Sequence, residues 1–310
     1  KNVYRVRVTN GAGKELVATR PSPYSWSVAG HDGTVKVIYT LFGNLGDGTY
    51  AQIDETHAHL NMPATFMWVK GLDRRPVRVR FSPPAGSEWK VASQLLPTGD
   101  PFTFTAPGLQ YFLDSPTELS RYTLREWTAT AGGRTYPIRL ALHHTGTEAE
   151  ADSFAVLARK VVAAHMAAFG EPPRFDVGYY TFIADYLPWA SGDGMEHRNS
   201  TIISSSGSLA QNMRGLLGTL SHEFFHAWNV ERIRPRGLEP FDFTRANMSD
   251  GLWFAEGFTN YYGPLAIARA GVMSVQDFAH GLGGPINFVI NSPARAFFSP
   301  AEMSMQAPCV

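Results

Sequence analysis

His222 and His226 stand four residues apart and bracket an acid in the run His222-Glu223-Phe224-Phe225-His226. On an α-helix a four-residue step stacks two side chains one turn apart on one face, the separation at which two imidazoles can share a zinc ion. Glu223, at the edge of that face, can take a proton from an attacking water without becoming a ligand, so it is the candidate general base. A catalytic zinc takes three protein ligands and keeps a fourth position open. The candidate for the third lies downstream, in Asp250-Gly251-Leu252-Trp253-Phe254-Ala255-Glu256-Gly257-Phe258-Thr259-Asn260-Tyr261-Tyr262. This run reads as a second amphipathic helix, and Glu256 is a lone carboxylate flanked by Trp253, Phe254 and Phe258. Burying it is costly unless a metal compensates the charge. The competing reading makes Glu256 a cap or the partner of an arginine. Asn260, four residues on, could orient one of the histidines from behind.

The helix that must carry the histidines is expected over 208–229. Leu209, Met213, Leu216, Leu217, Leu220, Phe224, Ala227 and Trp228 fill one arc at helical spacing. The opposite arc holds Gln211, Gly215, Gly218, Thr219, His222, His226 and Asn229. Each internal glycine costs about 1 kcal/mol relative to alanine, so Gly215 and Gly218 imply another role, here room for substrate. Upstream, 147–169 has helical periodicity and stops at Gly170, and 175–184 reads as a strand. A loop rich in Pro, Gly and Asp follows to Gly194, then an extended piece through Ile203. The front half alternates with the strand period over 3–8, 34–41, 77–81, 102–105, 122–128 and 137–142. Asn10-Gly11, Asp32-Gly33, Asp47-Gly48 and Pro83-Pro84-Ala85-Gly86 punctuate these runs. The expectation is an α+β protein: a β-rich domain over 1–144 and a mainly helical domain with a small sheet over 145–310.

Composition bounds the rest. Hydrophobic residues make up 44% of the 310, and charged residues 17%, well under the usual quarter, which excludes a disordered chain. Lys plus Arg equals Asp plus Glu at 27 each, so no net field draws nucleic acid or an anionic membrane. The single cysteine, Cys309, permits neither an intrachain disulfide nor a thiolate metal cluster. No apolar stretch is long enough to span a bilayer, and no signal peptide is visible.

The string His222-Glu223-Phe224-Phe225-His226-Ala227-Trp228-Asn229-Val230, then Arg232-Ile233-Arg234-Pro235, then Trp253-Phe254-Ala255-Glu256-Gly257-Phe258-Thr259, resembles the glycyl aminopeptidase family of thermolysin-like gluzincins. The likeness extends to Gly192-Asp193-Gly194-Met195-Glu196-His197-Arg198-Asn199-Ser200-Thr201 and, more weakly, to the β-rich front half. The resemblance implies a β-sandwich-like front domain and a thermolysin-like catalytic domain. It also implies one Zn2+ per chain on His222, His226 and Glu256, with Glu223 as base. The implied reaction removes small N-terminal residues, Gly or Ala, from a peptide with a free N-terminus. Related aminopeptidases place a Gly-x-Met-Glu-Asn motif against the substrate's amino group. Here Asp193 stands at its first position and His197 at its last, so Gly194, Met195, Glu196 and His197 are the substrate-binding candidates. The piece that follows, 199–204, is polar enough for an exposed sheet edge, to which a peptide can add as a strand. The family also continues past this point with more helices and a PDZ domain, so the chain is expected to be a piece lacking its first strands and the end of its catalytic domain.

Two rival readings stay open: a zinc-binding fragment without turnover, and an endopeptidase that ignores the amino terminus. A donor to the oxyanion is also required. Tyr261 and Tyr262 are close to Glu256 in sequence, but neither is assigned the role. His57 and His59, two apart, share a face on a strand and could bind a metal, but the favoured reading makes them part of a half-exposed sheet. His143 and His144 point to opposite faces, which argues against a joint site. Arg232, Arg234 and Arg236 read as structural partners of nearby acids. A periplasmic or secreted bacterial setting is favoured over the cytoplasm, with no signal in the sequence to fix it.

Overall fold

The computed structural model describes residues 2–307; Cys309 lies outside the described residues. The chain divides between Asn44 and Leu45 into two units. In the first, β1 (Val3–Asn10) pairs antiparallel with β4 (Val35–Leu41), and β2 (Ala18–Ser22) with β3 (Ser25–Val28). The Asp32 carboxylate accepts hydrogen bonds from the amides of Gly11 and Ala12, joining two of the turns expected from the sequence.

The second unit holds three sheets. β5 (Ala51–Ile53), β6 (His57–Leu60), β8 (Lys90–Ser93) and β11 (Thr117–Ser120) run antiparallel in the order β5-β6-β11-β8. β7 (Val77–Arg80), β9 (Leu96–Pro97) and β10 (Thr103–Ala106) form a small sheet. Leu60, Phe81, Phe104 and Leu119 pack there with residues of the short helices α1 (Met62–Thr65) and α2 (Leu109–Leu113). The third sheet is the framework of the rear part: β12 (Thr123–Ala131), β13 (Arg134–His144), β14 (Tyr180–Tyr186), β15 (Asp193–His197) and β16 (Ser200–Ser205), ordered β12-β13-β14-β16-β15. The sequence boundary expected at 144/145 is therefore corrected. It would cut the hairpin β12–β13 away from β14, with which β13 pairs in parallel over seven registered residues.

Helix α3 (Glu148–Phe169) connects β13 to β14. Thr147 and Glu150 close a capping box at its start, and Gly170 ends it in the left-handed region at φ 80°. The helices α4 (Leu209–His226), α5 (Leu252–Arg269), α6 (Val275–Asn291) and α7 (Pro300–Gln306) follow. Ser208 caps α4. The helix stops at His226 rather than 229, because the chain turns through 227–230 to place the Asn229 carbonyl against His226 Nδ1. Its first turns are kinked at Asn212, whose side chain takes the space beside Gly215. Gly215 thus serves the kink, while Gly218 borders open space. Among the described residues no helix is long and apolar enough to cross a membrane.

The core lies between the sheet and α3, α4 and α5. Phe224 is fully buried between the two candidate ligands of α4, its ring against Tyr180, Phe182, His165 and Trp228. It fixes which way the histidine face points. Phe224→Ala should cost about 3–5 kcal/mol of stability, measured by urea denaturation, and a loss under 1 kcal/mol would mean that the core closes around the missing ring.

Candidate active site

Two helices position the three expected ligands. His222 Nε2 and His226 Nε2 lie 3.1 Å apart in the last turn of α4. Glu256 Oε2, from the second turn of α5, is 3.4 Å from the first and 3.7 Å from the second. A tetrahedral zinc with bonds of about 2.0–2.1 Å holds its ligand atoms about 3.3–3.4 Å apart, so this triangle fits such an ion. The close approach depends on Gly263 of α5. A Cβ there would stand 3.3 Å from the His222 backbone. Ser221 Oγ donates to the Gly263 carbonyl at 2.7 Å and lies 2.9 Å from His165 Nε2 on α3, so one hydroxyl ties three helices together. Its hydrogen goes to the carbonyl, which makes His165 the donor to Ser221. Burial pushes that imidazole down to about 3, keeping it neutral.

His226 Nδ1 donates to the Asn229 carbonyl at 2.6 Å, which leaves Nε2 as the nitrogen free to coordinate. Thr259 Oγ1 sits 3.4 Å from the same Nδ1 while donating to the Ala255 carbonyl. The Asn229 amide donates to the same Ala255 carbonyl, closing the end of α4 onto the start of α5. The supporting role expected of Asn260 is therefore taken by Asn229 and Thr259. Asn260 is exposed, because buried Thr259 is the residue that α5 turns toward α4.

Glu223, the candidate base, lies beside this triangle. Glu223 is 4% exposed. Burial pushes its carboxyl well above the usual carboxylate range, and the charge of Glu196 adds to the effect. Glu256 shows the reverse: the imidazole of His222, and next that of His226, hold it at about 2, against the effect of partial burial. Ligand atoms of Glu196, Glu223 and His226 lie within 4.8 Å of one another. Three carboxylates and two imidazoles thus converge, a donor set that a divalent cation suits.

Gly194 shows why the strand can pass so close. A Cβ at that position would lie 2.3 Å from Glu223 Oε1 and 2.9 Å from Thr219 Cγ2. The edge strand itself requires a correction. The polar piece expected at the edge, 199–204, belongs mostly to β16, which lies inside the sheet with Ser200 through Ser204 buried. Its hydroxyls are satisfied internally: Ser200 donates to Gln94, Thr201 to the Met195 carbonyl and Ser204 to the Ser191 carbonyl. The edge is β15, which carries Gly194, Met195, Glu196 and His197. Met195 packs beside Tyr122, Ile183 and Ile202, and His197 Nδ1 meets Asp114 Oδ1 at 2.9 Å. Both also border a cavity of about 960 Å³ whose lining takes in Glu196, Asp114, Tyr111, Glu231 and Arg234, but none of the three metal-facing residues. Burial pushes Glu231 up to about 8, and the charges of Asp114 and Glu196 act in the same direction.

Residues 1–121 match the peptidase M61 N-terminal domain, and residues 215–309 match the M61 glycyl aminopeptidase domain, together more than half of the chain. The chain belongs to the M61 glycyl aminopeptidase family. Among solved structures, an aminopeptidase N family protein of Idiomarina loihiensis is similar at a TM-score of 0.86 and 23% identity, over 99% of this chain and 53% of that one. Legionella pneumophila aminopeptidase A, solved with aspartic acid, is similar at 0.52 and 14% identity, over 87% of this chain and 33% of that one. At these identities the likeness bears on the fold, and the M61 chain here spans about half or less of either protein. No curated protein sequence matches it.

Other expected residues in this M61 chain fall elsewhere. Arg232 bonds to the carbonyls of Arg198, Ala227 and Arg174 and to Asn199, so its partners are mainly backbone oxygens rather than acids. Arg234 does pair with acids, Glu239 at 2.6 Å and Glu231 at 3.8 Å, and Arg236 is exposed. Tyr262 stacks on Phe225 and Tyr261 packs edge-on to Phe278. His57 and His59 are fully buried rather than half-exposed, and His143 lies against His57 with ring centroids 4.5 Å apart. His143 thus has its ring contact across the sheets and not with its sequence neighbour His144.

His197 yields a pH prediction. Burial alone would lower its pKa, but the hydrogen bond and charge of Asp114 outweigh burial and raise it. A folded pKa above the unfolded value of about 6.5 means that this pair stabilises fully below that pH and loses its contribution as pH rises through the folded value. The stability gap between parent and His197→Gln, about 2 kcal/mol at pH 6, should shrink toward pH 9 in denaturant titrations. A gap that widens with pH would reverse the assignment.

Proposed function

We propose that this chain carries the catalytic core of a zinc-dependent aminopeptidase that releases small N-terminal residues, Gly or Ala, from peptides with a free amino end. One observation carries the aminopeptidase reading: the Glu196 carboxylate lies within 4.8 Å of Glu223 and His226 on the sheet edge. A second acid that close to the base, on a strand open to a peptide, suits capture of an α-ammonium group one residue from the bond to be cut. The family's description supports the preference for glycine.

His222, His226 and Glu256 would hold the zinc, with His226 kept in the coordinating tautomer by Asn229. When bound, that ion acidifies water and polarises the scissile carbonyl as a Lewis acid. Glu223 accepts the proton of the attacking water and returns it to the departing amine, so that water adds across the peptide bond. The bare backbone of Gly194 leaves its carboxylate room to do so. The outer edge of β15 offers backbone groups to the substrate as an added strand. Glu196 binds the ammonium, and Asp114 lies farther along the same cavity wall.

Metal and base can be separated by substitution. Glu256→Ala should lose one equivalent of zinc relative to the parent. Glu223→Gln should keep it while hydrolysis falls by about 10²–10⁴-fold. Unchanged metal content in the first variant, or activity within a few-fold in the second, would remove that residue from its role.

The amino-terminal specificity is tested by a cycle of two enzymes against two substrates, run on the whole protein. A charge-assisted hydrogen bond is worth about 1.5–3 kcal/mol, so Glu196→Ala should lower kcat/KM on a glycyl peptide by about 10- to 150-fold. Acetylating the peptide should harm the parent as much and add little to the variant. Fully additive losses would favour an endopeptidase, and no cleavage of either peptide would favour a zinc-binding protein without turnover.

A further inference from the structure

Away from the active site, three buried side chains and the partly buried His143 converge from two sheets with no hydrophobic reason to do so. β6 and β11 of the four-stranded sheet contribute His57 and Glu118. β13 and β14 of the five-stranded sheet contribute His143 and Asp185, which stand opposite one another in register. Nδ1 of His57 is 3.3 Å from Glu118 Oε1 and 4.0 Å from Asp185 Oδ1. Nδ1 of His143 is 3.6 Å from the same two oxygens. The four ligand atoms all lie within 4.8 Å of one another. His57, Glu118 and Asp185 are more than nine-tenths buried. His143 Nδ1, Asp185 Oδ1 and Glu118 Oε2 are all buried with no hydrogen-bond partner.

Two ionised carboxylates that deep are strongly unfavourable unless compensated. One imidazolium between them would leave a negative charge over and would not partner the orphaned atoms of His143 and Asp185. A dication cancels both charges and gives each of the four ligand atoms a bond. We propose that His57, Glu118, His143 and Asp185 form a second, structural zinc site that clamps the two sheets of this unit together. Two imidazoles and two carboxylate oxygens suit zinc or a similar first-row ion over calcium or magnesium, which take mainly oxygen ligands. Four protein ligands leave no open position, which marks a structural rather than a catalytic site. His59 supports it from the side: its Nδ1 is 3.7 Å from Asp185 Oδ2 and 4.0 Å from Glu118 Oε2. This site does not depend on the proposed aminopeptidase activity.

The test uses the whole protein carrying His222→Ala and His226→Ala, so that zinc bound at the active site does not enter the count. After loading with Zn2+ and buffer exchange, elemental analysis should find one equivalent per chain, and added Zn2+ should raise the Tm of the dialysed protein by roughly 5 °C at saturation. Adding Asp185→Asn, which keeps size and shape, should abolish both the bound zinc and the Tm shift. His143→Ala in the same background should do the same from the opposite ligand type. Zinc-free protein with no Tm response would overturn the proposal. So would an equivalent of zinc that survives Asp185→Asn and His143→Ala, since the ion would then sit elsewhere.

Discussion

The crossing of α4 and α5 is the constraint on which the active site rests. Two histidines on α4 are useful only if a third ligand approaches within bonding range of both, and Glu256 lies thirty residues beyond His226. Gly263 lets the helix backbones meet beside His222, and the Ser221 hydroxyl locks that contact while engaging His165 on α3. Asn229 then ties the end of α4 to the first turn of α5 through the carbonyls of Phe254 and Ala255. The metal-facing triangle is therefore set by packing and hydrogen bonds of uncharged groups. Such contacts can preorganise ligands without a metal's help.

Charge is the second theme, and it recurs in two places. Around Glu223, three carboxylates converge, and burial raises the cost of Glu223's own charge. Around Glu118 and Asp185, two acids face each other between sheets with atoms unpartnered. Proteins rarely retain uncompensated buried carboxylates. In both places imidazoles stand within reach of the acids, which makes a dication the simplest compensation. The two sets differ in their geometry. The first sets three candidate ligands beside two further acids, and the second sets four candidate ligands between two sheets.

The sheet explains how substrate can reach the first set. β16 is held inside by β14 and β15 and satisfies its own hydroxyls, so its polarity is inward bonding and not solvent exposure. That leaves β15 as the edge, with Gly194 against Glu223 and Glu196 two residues on, on the same side of the strand. An edge strand ordinarily invites unwanted pairing. Here the same property suits a peptide-binding surface.

The catalytic string was legible in the sequence because its chemistry is local. A four-residue step, an intervening acid and an apolar stripe on the opposite arc specify a ligand pair on any helix that forms. Glu256 was legible as a charge isolated among aromatics, and the α3 helix as a periodic run ending in glycine. The strands β6 and β11 were not legible, because they are buried on both faces and show no alternation. His57 was therefore weighed only with His59 and Glu118 went unread, and His143 was judged against its neighbour His144 when its partners lie on other strands. The same limit displaced the domain boundary, since the parallel pairing of β13 with β14 spans α3. Sequence determined which side chains share a face within one element. Tertiary structure alone decided which elements bring their faces together, because burial and register between distant strands leave no periodic trace along the chain.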